Sequence, residues 1–228
     1  MNAKAYKILC VEGTKGAGKS STLHAIQSCL EAAGCLVSVC RPFAEASNLF
    51  KLSYGENATA YSLSQMDEKH AILADEALKN IVTAHYANFI ETIKTSQHLN
   101  KGVMLMDRGW MTARCSLEDS CLSEGNKETR WAWWENNIPS TVFIYTKPDI
   151  TAKRRENELN YESGLSKPEL VLSDYNRRVY LKNKYISYVF SSHETVDIQS
   201  ETEKTMQINE VTKNILDSYQ QFTWNTID

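Results

Sequence analysis

The sequence predicts an α/β protein of three layers, a mostly parallel five-stranded sheet with helices on both faces. Short apolar runs of strand length recur along the chain, and most are followed by longer stretches with apolar residues near the 3.6-residue helical period. Strands alternating with helices in this way build a parallel sheet that is covered on both sides. The composition suits such a protein: 228 residues, 42% hydrophobic and 23% charged, enough chain to bury a sizeable core without disulfides or metals.

Tyr6 to Val11 (YKILCV) reads as the first strand, ending at Glu12-Gly13, and a helix follows from Gly18 to about Ala33 with Gly34 as its stop. Cys35 to Cys40 (CLVSVC) is the second strand, halted by Arg41-Pro42. Residues 43–66 are mixed, rich in Ser, Asn and Ala, with a turn at Gly55. Met66 to about His98 carries a long helical pattern, and Val103 to Met106 forms a third strand leading into Asp107. Residues 115–127 are polar and read as a loop with its turn at Gly125-Asn126. Beyond the Trp131, Trp133 and Trp134 cluster, read as helix packing, Thr141 to Tyr145 is the fourth strand, and Lys147-Pro148-Asp149 opens a charged helix. Leu170 to Phe190 reads as helix, Thr195 to Ile198 as the fifth strand and Glu203 to Tyr219 as a closing helix. No repeat or linker interrupts the pattern, so one domain over 1–228 is expected.

Twenty-five Lys and Arg against 28 Asp and Glu leave a net charge of −3, without the basic surplus of a general nucleic-acid binder. No apolar run approaches the ~18 residues that span a bilayer. Met1 to Lys7 lacks an apolar stretch with a cleavage site, so a cytoplasmic location is expected. The six cysteines form no C-x-x-C pair and have no histidines at zinc spacing, so they read as reduced thiols.

Gly13-Thr14-Lys15-Gly16-Ala17-Gly18-Lys19-Ser20 fits G-x-x-x-x-G-K-[ST] in full, between an apolar strand and an amphipathic helix. Such a loop turns successive main-chain N–H groups inward, and the helix N-terminus adds partial positive charge for a triphosphate. Lys19 would reach the β- and γ-phosphates, and the Ser20 hydroxyl, with Ser21 behind it, would stand at the Mg²⁺ side. Ligands gather at the carboxyl ends of parallel strands, where Asp107 ends the third strand as the loop ends the first. That carboxylate would bind Mg²⁺ through water or accept a proton, and Arg108 beside it would grip an anionic acceptor.

On these residues the chain resembles the thymidylate kinase family of nucleoside monophosphate kinases and, more broadly, its deoxynucleoside kinase relatives. Val11-Glu12-Gly13 is similar to the family's opening strand and loop, and Arg41-Pro42 resembles its Arg-Glu-Pro segment. Asp107-Arg108 resembles its Asp-Arg-Tyr motif, and Pro139 through Arg155 the strand, turn and helix that lead into a lid. The resemblance implies a P-loop kinase fold with a lid segment around 153–168, ATP as co-substrate with Mg²⁺, and a nucleotide-like acceptor, most readily a deoxynucleoside monophosphate. It implies acceptor contacts from Arg41, Phe43 and Arg108, a catalytic arginine at Arg154 or Arg155, and a homodimer. Four departures fall on the acceptor side: Gly109 replaces the motif tyrosine, Phe43 the glutamate, and Lys15 an acid. The fourth is Glu76, which replaces the arginine of an Ala-Asp-Arg segment. A deoxynucleoside or a modified nucleotide therefore stays open as acceptor. Thr146-Lys147-Pro148-Asp149 also fits the guanine-reading T-K-x-D of a GTPase switch. A nucleotide-binding protein without catalysis is the remaining alternative.

Overall fold

A computed structural model describes residues 3–97, 99–156, 168–198, 200–221 and 224–227, with the backbone alone for 154–156 and 168. The predicted α/β class is observed. Strands β1 (Lys4–Gly13), β2 (Leu36–Cys40), β3 (Lys101–Asp107), β4 (Ser140–Thr146) and β5 (Val189–Thr195) pair in the order β2-β3-β1-β4-β5. All four pairings are parallel. The sixth strand, β6 (Asn225–Ile227), runs antiparallel to the start of β1, pairing Lys4 with Ile227. Three exposed or half-exposed residues carry no strand signal, which is why sequence reading stops at five.

The helices are α1 (Lys19–Ala32), α2 (Pro42–Tyr54), α3 (Ala60–Ser64), α4 (Glu68–Thr95), α5 (Trp110–Asp119), α6 (Glu124–Glu135), α7 (Pro148–Glu156), α8 (Pro168–Lys184) and α9 (Glu201–Gln220). Adjacent residues of each strand face opposite layers, so an unbroken apolar run supplies two cores. Leu9, Val11, Leu105, Val142 and Ile144 pack with Leu23 and Ile26 of α1 and Ile215 and Tyr219 of α9. Cys10, Met104, Met106 and Phe143 pack on the other side with Phe89, Trp110, Trp131 and Trp134. The tryptophan cluster is packing, as expected: Trp131 and Trp134 are buried, and Trp131 Nε1 donates to the Tyr185 hydroxyl at 3.1 Å.

Three expectations need correction. Residues 43–66 hold two helices, α2 opened by Pro42 at its first turn and α3 by a Thr59/Ser62 capping box. The supposed loop 115–127 holds the end of α5 and the start of α6. Gly125-Asn126 lies in the first turn of α6, where burial of Trp131 and Trp134 outweighs a glycine's weak helix propensity. Finally, α8 stops at Lys184, and β5 begins at Val189, not Thr195. A 3₁₀ turn over Ile186–Tyr188 separates them, and Val189 pairs with Thr141 of β4.

Candidate active site

The loop after β1 is shaped by close approach. Gly13 sits at φ 146°, and a Cβ there would land on the Ile144 carbonyl of β4, so only glycine lets the chain turn at this point. Thr14 Oγ1 accepts from the Thr146 amide at 3.2 Å, which ties the loop to the end of β4. Gly16 and Gly18 carry the turn onward with positive φ to the start of α1.

This loop lies between two cavities. The larger, 750 Å³, is reached by Thr14 and Lys15 on the loop side, Arg41 and Phe43 from α2 and its N-cap, and Asp107 and Arg108 from the end of β3. The smaller, 460 Å³, is lined by Gly16, Ala17, Gly18 and Ser21, facing Lys204 and Ile208 of α9. Lys19 is buried, and its Nζ donates to the Thr14 carbonyl at 2.5 Å. Ser20 is exposed on the first turn of α1. Of the T-K-x-D residues, Thr146 lines the larger cavity, while Lys147 and Asp149, the lysine and acid of that pattern, line neither.

Register explains why Asp107 meets the loop: β1 and β3 are parallel, with Val11 opposite Asp107. The Asp107 Oδ1 oxygen is buried and has no hydrogen-bond partner. An orphaned carboxylate oxygen of that kind fits a hydrated Mg²⁺, which keeps several of its waters and needs few protein ligands. Next to it, Arg108 adopts φ 65°, the one positive-φ residue other than glycine among the described residues. Its amide donates to the Val11 carbonyl at 3.1 Å, which holds the turn. Strained backbone of this kind tends to cluster at functional sites.

Sequence reading missed the charged frame beneath these residues. Glu12 is fully buried, and its Oε1 accepts from the amides of Gly109, Met111 and Thr112 at 2.6, 3.0 and 3.2 Å. Its Oε2 accepts from the Thr112 hydroxyl at 2.9 Å. The carboxylate therefore caps α5, where the helix dipole favours negative charge. Arg178 of α8 is also buried; its guanidinium lies 3.6 Å from Glu12 and donates to both Asp174 oxygens at 2.9 and 3.0 Å. Arg177 forms a bidentate pair with Asp119 at 2.6 and 3.0 Å at the same cleft.

Burial lowers the pKa of Lys19 well below its usual value, and Arg108 and Arg178 add to the shift, against Glu12 and Asp107. Burial and Arg178 likewise lower that of Arg108, which as a guanidinium stays charged at neutral pH. Burial works against the Arg178 charge too, yet Asp174 and Glu12 more than offset it and raise its pKa. The cluster is thus rich in desolvated cations that an incoming polyanion would relieve.

Two further parts of the resemblance remain. The Ala74-Asp75-Glu76 segment borders neither cavity. Asp75 is buried between α4 and α6, bound to Lys79 at 2.6 Å, Arg130 at 2.8 Å and Trp134 Nε1 at 3.1 Å, while Glu76 pairs with Arg130 at 2.6 Å. Arg154 and Arg155 are on α7, but their side chains lie outside what is described, as does most of the lid segment. Thr151 of the same helix lines the larger cleft and packs against the loop, 3.8 Å from a Cβ built on Gly16.

Strand order and loop together define a P-loop kinase fold. No protein-family model and no curated protein sequence matches the chain. Among solved structures it is similar to shikimate kinase from Bacteroides thetaiotaomicron, with a TM-score of 0.52 over 94% of this chain and 98% of that one. Identity is 13%, so the likeness shows the fold.

Proposed function

We propose that the protein transfers the γ-phosphoryl group of ATP to a small anionic acceptor, and that a deoxynucleoside monophosphate is the acceptor class its cleft suits best. One observation carries the reading: the glycine-rich loop and its buried lysine stand between two cavities, opposite a carboxylate and an arginine from the neighbouring strand. The smaller cavity would take the donor's base and sugar, the loop amides and Lys19 its phosphates, and the larger cleft the acceptor. Phe43, Tyr61 and Tyr175 give that cleft aromatic walls for a base, and Lys15, Arg41 and Arg108 give it positive charge for a phosphate.

In this mechanism the bridging oxygen between the β- and γ-phosphorus atoms leaves with ADP, while an acceptor oxygen forms the new bond to phosphorus. A monophosphate oxygen is already ionised near neutral pH, so it needs no general base; a sugar hydroxyl would need one, and Asp107 is placed to serve. Lys19 would exchange the Thr14 carbonyl for phosphate oxygens, and Arg108 would hold the acceptor in line, since phosphoryl transfer depends mainly on positioning and charge neutralisation. Arg178, held by Asp174 and Glu12, would add positive potential behind them. Ser20 and Asp107 are the residues that would hold Mg²⁺, which supplies charge neutralisation between the phosphates when bound. Arg154 or Arg155 would arrive from α7 on closure.

The test is transfer from γ-labelled ATP to a panel of nucleoside monophosphates, nucleosides and shikimate. Label appearing in a nucleoside diphosphate supports the proposal. Label found only in a nucleoside monophosphate or in phosphorylated shikimate rejects the acceptor class, and label reaching no acceptor at all rejects the kinase reading.

A further inference from the structure

A second cluster of ligand-type side chains lies apart from the phosphate loop, behind the rim of the larger cleft. Cys40 is the last residue of β2, Glu45 is in the first turn of α2, and His85 is in the middle of α4. One ligand atom from each, the Cys40 sulfur, a Glu45 carboxylate oxygen and a His85 ring nitrogen, lies within 4.8 Å of the other two. Three separate elements thus converge on one point, which chance surface contacts of acidic residues do not require.

We propose that Cys40, Glu45 and His85 form a binding site for a zinc ion that clamps α2 and α4 to the end of β2. The donor set is that of zinc: thiolate, imidazole and carboxylate together suit a borderline-soft ion, whereas Mg²⁺ and Ca²⁺ take oxygen ligands. The geometry is close to what the ion needs. Bonds of about 2.0–2.3 Å in a tetrahedron put ligand atoms roughly 3.3–3.7 Å apart. His85 Nε2 and Glu45 Oε2 stand at 2.7 Å and would open slightly, while the sulfur would close by about an ångström at most.

Glu45 is already oriented for the role. Its Oε1 accepts from the Arg41 amide at 2.9 Å, which leaves Oε2 turned toward His85. Such outer hydrogen bonds hold metal ligands in place. An approach from solvent is open: the His85 and Glu45 side chains are 29% and 38% exposed, while Cys40 closes the inner end. Three protein ligands leave the fourth position to water. Burial and Glu45 push the thiol pKa up to about 12, so binding replaces the thiol proton with the ion and releases that proton to solvent. The clamp would fix the helix start that carries Arg41 and Phe43 into the cleft.

Cobalt titration of the full chain tests this, because thiolate-to-cobalt charge transfer gives an absorption band that carboxylate and imidazole ligands do not. The expected result is one Co²⁺ per chain with that band, displaced by stoichiometric Zn²⁺ and not by excess Mg²⁺. Cys40→Ser should abolish the band, and His85→Ala should weaken binding by about tenfold or more. Absence of the band in the native chain overturns the proposal, as does an unchanged band in Cys40→Ser, which would place the metal on exposed Cys29 or Cys121. Should Cys40→Ser fail to fold, the half-exposed His85 decides alone: unchanged cobalt affinity in His85→Ala overturns the site.

Discussion

Glu12→Gln removes one charge from the frame beneath the site and keeps its shape. The native carboxylate accepts four hydrogen bonds at 2.6–3.2 Å from the start of α5 and stands 3.6 Å from Arg178, with no exposure to solvent. Glutamine retains one acceptor oxygen for the amides of Gly109, Met111 and Thr112. Its NH₂ group, however, would point at Arg178, donor against donor. The helix-dipole interaction of a partly buried cap is worth up to about 2 kcal/mol. Hydrogen bonds to a charged group add about 1 kcal/mol or more over neutral ones. Breaking a buried pair costs about 3–5 kcal/mol, and the sum falls in that range. At roughly 2–4 °C per kcal/mol for a chain of this size, Tm should fall by about 6–20 °C. Thermal and urea unfolding followed by circular dichroism measure it. A loss below about 1 kcal/mol would refute the argument that Glu12 caps α5 and anchors Arg178.

Three further outcomes follow from the same geometry. A Cβ at Gly109 would stand 2.6 Å from Met106 Sδ and 3.1 Å from Cys10 Sγ, so Gly109→Ala should cost about 1–3 kcal/mol in urea unfolding; wild-type stability would show that the motif tyrosine is not excluded by packing. Asp75→Asn should destabilise by about 3 kcal/mol while leaving the acceptor KM unchanged, since Asp75 links Lys79, Arg130 and Trp134 away from the cleft; a raised KM would return the segment to the site. Burial, with Arg108 and Arg178 nearby, lowers the Lys19 pKa, and bound phosphate would raise it again. The complex then holds more protons than the free protein, so ATP affinity should fall as pH rises through the free-state pKa, with proton uptake seen by calorimetry in buffers of different ionisation enthalpy. Binding without proton uptake across the alkaline range contradicts that assignment.

The strands were legible because a strand buried on both faces is an unbroken apolar run, which β1, β3 and β4 each carry; β2, at the sheet edge and half-buried up to Cys40, still reads as a strand because only Ser38 breaks its apolar run. The phosphate loop was legible because its chemistry is local: glycines, lysine and serine at set spacing between a strand and a helix. The helical residues within 115–127 were not, since their polar faces dominate the composition and the buried Trp131 and Trp134 further along α6 decide the matter through tertiary contact. The same limit hid the charged frame. Nothing around Glu12 or Arg178 announces that residues so distant in the chain meet within 3.6 Å. Likewise the likeness of Ala74-Asp75-Glu76 to an acceptor-binding segment is local, while the partners of Asp75 are Lys79 of α4 and Arg130 and Trp134 of α6.

The most direct measurement is a crystal structure with a non-hydrolysable ATP analogue and Mg²⁺. The expected complex has adenine in the 460 Å³ cavity between α1 and α9, phosphates on the amides from Gly13 to Ser20 with Lys19 turned onto them, and the terminal phosphate facing Asp107 and Arg108. Nucleotide bound elsewhere, or Lys19 still on the Thr14 carbonyl with the phosphates outside the loop, would contradict it.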